Sequence, residues 1–158
     1  MRLSEKAGII TGTMTLSFRH IGFTVSNIQR SIEFYQGILG LQLKEGPRDV
    51  GGKGSTTPIY TGLPDAHLRV ASLQLYQGTS LELIQYLAPQ GGKTVDTRRC
   101  DTGSAHICFT VDNLPKMYET LKSKGVRTVS EPMKDSKGNL MFYFYDPDGF
   151  TLEITSAK

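Results

Sequence analysis

The chain has 158 residues, of which 38% are hydrophobic and 21% are charged, with a formal net charge of +3 and no tryptophan. This composition is typical of one compact globular domain or of two small fused modules, and it excludes an intrinsically disordered polymer. The basic excess is small and scattered, without a basic face interleaved with aromatic residues. Nucleic acid is therefore not an expected partner.

Nothing in the sequence indicates a membrane or a secreted protein. No apolar run approaches the length of a bilayer-spanning helix, and the first residues lack the apolar block of a signal peptide. The two cysteines, Cys100 and Cys108, do not form a Cys-x-x-Cys pair. A reduced compartment suits both thiols, so we expect a cytoplasmic protein with no membrane partner.

An internal repeat organises the chain. Residues 18–27 read FRHIGFTVSN and residues 104–113 read SAHICFTVDN, so the pattern His-Ile-x-Phe-Thr-Val-x-Asn occurs twice. The ends of the two halves also match, because GTSLELI from residue 78 aligns with GFTLEIT from residue 149. A repeat of this kind predicts two copies of one structural module.

Each copy shows the hydrophobic pattern of a strand, a helix and three further strands. In the first copy we predict a strand at 17–25, a helix at 27–39, and strands at about 41–46, 67–76 and 80–87. In the second copy we predict a strand at 104–111, a helix at 113–124, and strands at about 126–130, 140–145 and 150–156. The predicted fold class is α+β, with two repeated βαβββ modules.

The same comparison sets the domain boundaries. Module 1 is predicted at 14–87 and module 2 at 104–158, joined by a polar linker at 88–103. Residues 1–13 match nothing in the second half and are predicted to form a flexible N-terminal extension. From its His to its Glu, the first copy spans 62 residues and the second 47. The additional residues of the first copy lie at 46–64, where Gly and Pro predict a loop. The role of this loop stays open.

Alternation along the first strand of each module separates an apolar face from a face that carries histidine. In the first strand, Ile21, Phe23 and Val25 face one way, and His20 faces the other way beside small residues. The second module repeats this arrangement around His106. Because the apolar face should pack on the helix, both histidines are predicted to lie on the opposite face.

A single histidine on a half-apolar strand is ordinarily a core or rim residue. In this chain, however, two of the three histidines occupy equivalent positions, and so do two glutamates. Unpaired carboxylates on a concave face are costly to desolvate, and a divalent cation offsets that cost. We therefore predict a metal site made of His20, Glu82, His106 and Glu153. The third histidine, His67, is assigned to the third strand.

These motifs resemble the vicinal oxygen chelate superfamily, which includes glyoxalase I, methylmalonyl-CoA epimerase, extradiol dioxygenases and fosfomycin or bleomycin resistance proteins. The resemblance rests on the repeated module, on HIGFTV and HICFTV, on SIEFYQGILGLQL and on DPDGFTLEI near the C-terminus. It covers about residues 17–156. It implies that two modules pair to curl their sheets into an open, cup-like mixed sheet, with the metal held by first and last strands.

The ligand pattern narrows the function that the resemblance implies. Extradiol dioxygenases hold Fe(II) with two His and one Glu and lack a carboxylate at the position of Glu82, whereas glyoxalase I and the epimerase have Glu or Gln there. The resemblance thus implies a divalent-metal-dependent lyase or isomerase that acts through an enediolate or enolate on a small substrate with vicinal oxygens. Glu153 is the first candidate for the catalytic base and Glu82 the second. The ion could be Zn, Ni, Co, Mn or Fe.

Two alternative functions stay open, a non-haem Fe(II) dioxygenase of the extradiol type and a non-catalytic protein that sequesters a drug or metabolite. Thr24 stands where bacterial glyoxalase I has an Arg that holds glutathione, so a CoA thioester or another α-carbonyl compound is as consistent as a glutathione adduct. Five neighbouring arginines are candidates for an anion clamp, but solvated surface residues are the favoured interpretation, namely for Arg19, Arg48, Arg69, Arg98 and Arg99.

We expect a homodimer that binds a small-molecule substrate. Two curved modules leave exposed strand edges, which a twofold dimer covers. The linker is compatible with metal ligands from one chain or from two.

Overall fold

The computed structural model describes residues 16–76, 78–92 and 98–157. The predicted extension at 1–13 lies outside these residues, as does part of the linker. In module 1 the elements are β1 (His20–Thr24), α1 (Ile28–Ile32), a π-helical continuation (Glu33–Ile38), β2 (Leu43–Gly51), α2 (Thr57–Thr61), β3 (His67–Gln74) and β4 (Ser80–Ala88). In module 2 they are β5 (His106–Val111), α3 (Leu114–Ser123), β6 (Met133–Lys134), β7 (Leu140–Tyr145) and β8 (Thr151–Ser156).

Each module forms its own four-stranded mixed sheet with the same strand order. The orders are β1-β4-β3-β2 and β5-β8-β7-β6. The first strand pairs parallel with the last, and the remaining neighbours are antiparallel. The α+β class and the two βαβββ modules that the repeat predicted are therefore confirmed. His67 opens β3, as predicted.

The last residue of the repeated motif explains why a helix follows the first strand in both modules. The Asn27 side chain accepts a hydrogen bond from the Arg30 backbone N–H at 3.1 Å. The Asn113 side chain accepts one from the Lys116 N–H at 3.0 Å. Asn at the N-cap satisfies a backbone donor that the first helical turn leaves unpaired. The motif thus specifies a strand and the beginning of the next helix.

A single hydrophobic core joins the apolar faces of both sheets. Its members are buried residues from α1, α3 and the central strands, among them Ile32, Phe34, Leu73, Leu81, Leu83, Leu121, Phe142, Phe144, Leu152 and Ile154. The rings of Phe23 and Phe150 stack at 4.2 Å across the two modules. The buried Tyr35 hydroxyl donates to Asp146 Oδ2 at 2.9 Å. The first helix of one module is thereby fixed to the β7–β8 turn of the other.

The prediction of a loop at 46–64 was wrong in part. β2 continues to Gly51 and contains Pro47, and α2 follows. Proline lacks an N–H, yet an edge strand tolerates it because one side of that strand has no partner. The pairs Glu45 with Ser72 and Arg48 with Val70 leave one extra residue in β2, which is a bulge around Pro47.

The second strand of module 2 was also placed wrongly, at about 126–130. The structure has β6 at Met133–Lys134, and only an isolated bridge links Thr128 to Phe144. Pro132 stands between the two contacts and donates no backbone hydrogen bond, so the ladder along β7 is interrupted. Within the described residues, the structure has no helix with the length and apolarity needed to cross a bilayer.

Candidate metal centre

The first predicted pair lies on neighbouring strands of module 1. β1 and β4 run parallel, and Gly22 stands opposite Glu82. His20 is two residues from Gly22, so its side chain lies on the same face of the sheet as Glu82. His20 Nε2 and Glu82 Oε2 are 3.7 Å apart.

The second pair repeats this geometry in module 2. β5 and β8 run parallel, and Cys108 stands opposite Glu153. His106 Nε2 and Glu153 Oε2 are 3.0 Å apart. The duplication has therefore placed one imidazole and one carboxylate in contact on each sheet.

Both pairs lie on the sheet face that turns away from the common core. Leu81 and Leu83, which flank Glu82, have no exposed surface, whereas the Glu82 side chain is 34% exposed. In module 2, the Glu153 side chain is 15% exposed and the His106 side chain 46%. The predicted alternation of an apolar face and a histidine face is confirmed.

The spacing within the module 2 pair suits two ligands of one metal ion. Ligand atoms about 2.1 Å from an ion are about 3.0 Å apart at a right angle and about 3.4 Å apart at a tetrahedral angle. The His106–Glu153 separation of 3.0 Å matches the first value, whereas the His20–Glu82 separation of 3.7 Å is longer than both. Imidazole nitrogen with carboxylate oxygen is a donor set that binds Zn, Mn, Fe, Co or Ni. Both pairs therefore have the donor chemistry of half a metal centre, and the module 2 pair also has the spacing.

A single chain does not bring the two halves together. Among the described residues, no three His, Cys, Asp or Glu side chains form a group that could hold a metal ion. The core lies between the two sheets, and each pair is on the face opposite that core. A centre made of all four side chains therefore stays a prediction. In the described chain its four members form two separate pairs, one on each sheet.

Module 2 surrounds its pair more closely than module 1 does. Tyr143 stands opposite Glu153, and its ring meets the His106 ring edge to face at 5.4 Å. Desolvation, followed by a hydrogen bond with Glu153, raises the pKa of Tyr143. Partial desolvation of the exposed Cys108 thiol, together with the Glu153 charge, raises its pKa to about 11. Cys108 therefore stays a thiol at neutral pH and fills space beside the carboxylate.

Arg99, one of the five arginines for which solvation was the favoured interpretation, is exposed, and its side chain reaches this region. Its guanidinium carbon is 5.8 Å from the centre of the Tyr143 ring, and its Nη1 donates to the Tyr145 hydroxyl at 2.7 Å. Arg99 lies in the linker between the modules, where strand and helix patterns give no information about side-chain direction. Only the tertiary structure brings it next to β7.

Comparison with known proteins identifies the family. The family model for the Glyoxalase/Bleomycin resistance protein/Dioxygenase superfamily matches residues 17–154. The chain belongs to this superfamily. The resemblance inferred from HIGFTV, HICFTV and DPDGFTLEI is confirmed at this level.

The chain is similar in sequence to two curated enzymes, at 28% and 30% identity. A 2-epi-5-epi-valiolone epimerase from Actinomyces sp is 28% identical over 145 residues, covering 88% of this chain and 78% of that protein. A lactoylglutathione lyase from Neisseria meningitidis is 30% identical over 143 residues, covering 88% of this chain and 89% of that enzyme. Similar superfamily members therefore include an epimerase and a lyase.

A solved structure supports the fold of this superfamily member. A glyoxalase family protein from Bacillus cereus superposes with a TM-score of 0.82, covering 93% of this chain and 97% of that one. Its sequence identity is only 20%. This likeness therefore concerns the arrangement of the two modules and not the reaction.

Proposed function

We propose that this chain is a divalent-metal-dependent lyase or isomerase that acts through an enediolate or enolate on a small substrate with vicinal oxygens. The observation that carries the proposal is the pairing of His20 with Glu82 and of His106 with Glu153, at equivalent positions of the two modules. The 28% identical epimerase and the 30% identical lyase support the same class of reaction.

Different residues of the chain would carry out different parts of such a reaction. A bound divalent ion would polarise the substrate carbonyl and make the neighbouring C–H more acidic. Glu153 then accepts the proton at a carboxylate oxygen, because it is the less exposed of the two glutamates. His106 and Tyr143 contact one another and restrict the positions open to that carboxylate. Glu82 and His20 hold the opposite side of the centre.

A homodimer would complete the centre. β1 and β5 are edge strands, and each of the two pairs lies beside one of these edges. The segment that leads into β1 exposes Leu16 by 99% and Phe18 by 65%. Uncovered strand edges and apolar side chains favour association. We propose that His20 and Glu82 of one chain meet His106 and Glu153 of a second chain, giving two centres per dimer.

The metal dependence is tested by hydrogen exchange on the substrate. Dihydroxyacetone phosphate and a panel of small thioesters are incubated in deuterated water with protein that has been stripped of metal and reloaded with one ion at a time. We expect deuterium at the carbon next to the carbonyl only after reloading. Exchange by the folded, metal-free protein would disprove the proposal. Oxygen-dependent cleavage of catechols with Fe(II) would favour the dioxygenase instead.

The sharing of the centre is tested by mixing two inactive variants, His20→Ala and His106→Ala. If both halves of a centre come from one chain, the mixture stays inactive. If they come from two chains, half of the randomly mixed dimers contain both variants and each of these has one intact centre. The mixture then regains about a quarter of wild-type activity. A mixture of Arg48→Ala with either variant measures the effect of dilution alone.

We also propose that the protein works in the cytoplasm on a small-molecule substrate. Both cysteines, Cys100 and Cys108, are free and exposed in the structure. Exposed thiols that have no disulfide partner are compatible with a reducing compartment.

A further inference from the structure

A cleft of about 990 Å³ lies between α1 of module 1 and the end of β7 in module 2. It is separate from the two His–Glu pairs, none of whose members line it. Its volume is that of an ordinary small-molecule site. Five basic side chains line the cleft, namely Arg30, Arg98, Arg99, Lys124 and Arg127.

Two of these cations are already neutralised. Arg30 Nη2 donates to Asp148 Oδ1 at 2.7 Å. Arg98 Nη2 donates to Asp101 Oδ1 at 2.8 Å. Arg30 therefore links α1 to the turn after β7, Arg98 is held within its own loop, and both offer little positive charge to a ligand.

The other three basic groups have no such partner. Within the described part of the chain, no carboxylate oxygen lies within 4.0 Å of the charged groups of Arg99, Lys124 or Arg127. The acids of the lining are engaged elsewhere. Glu33 accepts a hydrogen bond from Gln29, and Asp146 accepts bonds from Tyr35 and from backbone N–H groups.

Tyr145 contacts two of the guanidinium groups that have no carboxylate partner. The guanidinium carbon of Arg127 lies 3.9 Å from the centre of the Tyr145 ring. Arg99 Nη1 donates to the hydroxyl of the same residue at 2.7 Å. Tyr145 thus orients both guanidinium groups in one region, although their like charges repel. An anion between them removes that repulsion and accepts hydrogen bonds from both planar forks.

The two guanidinium groups beside Tyr145 lie close to the His106–Glu153 pair of module 2. Tyr143 and Tyr145 share one face of β7, about 7 Å apart along the strand. The Tyr143 ring lies beside both Arg99, at 5.8 Å, and His106, at 5.4 Å. Arg99 and His106 therefore lie beside the same aromatic ring, and Arg127 lies on the next tyrosine of the same strand face.

We propose that Arg99 and Arg127, with Lys124 at the rim, form an anion subsite for the substrate of the metal centre. The inference rests on the proposed function and specifies its substrate class: a small oxygenated compound whose reactive carbonyl carries a phosphate or carboxylate a few bonds away. Tyr145 is a positioning residue, because it acts by orienting the two guanidinium groups.

The subsite is tested by calorimetric titration of pyrophosphate into the metal-free protein at low ionic strength. We expect saturable binding that weakens at least 10-fold in Arg99→Gln/Arg127→Gln and about 3-fold in Tyr145→Phe. Arg48→Gln removes an equally exposed arginine outside the cleft and should leave the affinity unchanged. Arg127→Lys keeps the charge and loses the planar fork, so it should bind more weakly than wild type but more tightly than the double variant.

The two sources of the anion are separated by repeating the titration with malonate. Binding of pyrophosphate alone indicates a phosphate group, and comparable binding of malonate indicates a carboxylate. Equal pyrophosphate affinity in wild type and in the folded double variant would overturn the proposal. So would the absence of binding of both anions at millimolar concentration.

A second measurement distinguishes failure of the subsite from failure of the proposed function. His106→Ala should abolish metal-dependent exchange on the substrate and leave pyrophosphate binding to the metal-free protein within 2-fold of wild type. The double variant should raise the KM for dihydroxyacetone phosphate at least 10-fold and reduce exchange on neutral dihydroxyacetone by a much smaller factor. Metal-dependent exchange that is unaffected by the double variant on both substrates would reject the subsite alone.

Discussion

The two modules carry the same His–Glu pair in different surroundings. In module 1, Glu82 stands between Gly22 and Ser72 on the neighbouring strands. In module 2, the corresponding neighbours of Glu153 are Cys108 and Tyr143. Small residues leave the first carboxylate 34% exposed, whereas larger ones reduce the exposure of the second to 15%.

Under the proposed function, this difference gives the two copies of the module different roles. The His and the Glu are retained in both copies, and the side chains opposite the carboxylate change. In that function the open module would leave room for a substrate, while the crowded module would fix the direction of its carboxylate and has Arg99 nearby. A carboxylate whose positions are restricted by its neighbours is held ready to accept a proton from a bound substrate.

The largest expected effect on activity is the difference between substitutions of Glu153 and of Glu82. Glu153→Gln keeps the shape of the side chain and removes the base, so we expect proton exchange on the substrate to fall about 10²–10⁴-fold. Glu82→Gln replaces a proposed ligand by another oxygen donor at a more exposed position and should cost about 10-fold or less. Single-turnover exchange in deuterated water, with metal content measured for each variant, distinguishes the two. Equal losses at equal metal content would contradict the division of roles.

The second prediction concerns the insertion that only module 1 contains. Gly51 ends β2 with φ of +96°, and a Cβ there would collide with the carbonyl oxygen of Ala66 and with the Thr57 side chain. We expect Gly51→Ala to lower the free energy of unfolding by about 2–4 kcal/mol, from the strained φ and the overlap together.

Gly52→Ala provides the matched control for this change. Gly52 also has a positive φ, of +90°, but a Cβ there would have no atom within 4 Å. This variant should therefore lose only about 1–2 kcal/mol, the cost of the left-handed conformation. Urea unfolding measures both values. Equal losses would mean that the end of β2 does not pack on the insertion.

The third prediction tests the contact between the modules by its pH dependence. Desolvation raises the pKa of Asp146 above its ordinary value of 3.8. The folded protein therefore binds this proton more tightly than the unfolded chain does. The resulting contribution to stability is complete below pH 3.8 and is lost as the pH rises through the raised pKa.

Asp146→Asn removes that titration and keeps an oxygen acceptor for the Asp148 and Phe150 backbone N–H groups. We expect the unfolding free energy of the variant to improve relative to wild type as the pH rises from about 3.5 to 7, by less than the loss in Gly51→Ala. Asp49→Asn is the comparison of opposite sign, because the hydrogen bond from Arg69 lowers the pKa of Asp49 and the variant should therefore lose stability relative to wild type as the pH rises. A difference that grows in the opposite direction would refute the assigned sign.

The features that the sequence predicted correctly are those encoded locally and twice. The repeated motif contains the strand alternation around His20 and His106 and the Asn that caps the following helix, so both modules were predictable. β2 and β6 were predicted less well because edge strands depend on single prolines and on a bulge. Arg99 was named only as one of five candidate arginines because its position depends on where the linker lies against β7, which no local pattern reports.

The smallest effect is expected on the exposed side of α2, which module 2 lacks. Ile59 is 81% exposed, whereas Ile32 in the same module is 5% exposed. If Ile59 faces solvent, Ile59→Ser should change the free energy of unfolding by less than about 0.5 kcal/mol. Ile32→Ser, which empties a core position, should cost more than about 2 kcal/mol. A loss above 1 kcal/mol for Ile59→Ser that depends on protein concentration would show that a second copy covers α2, because only association links stability to concentration.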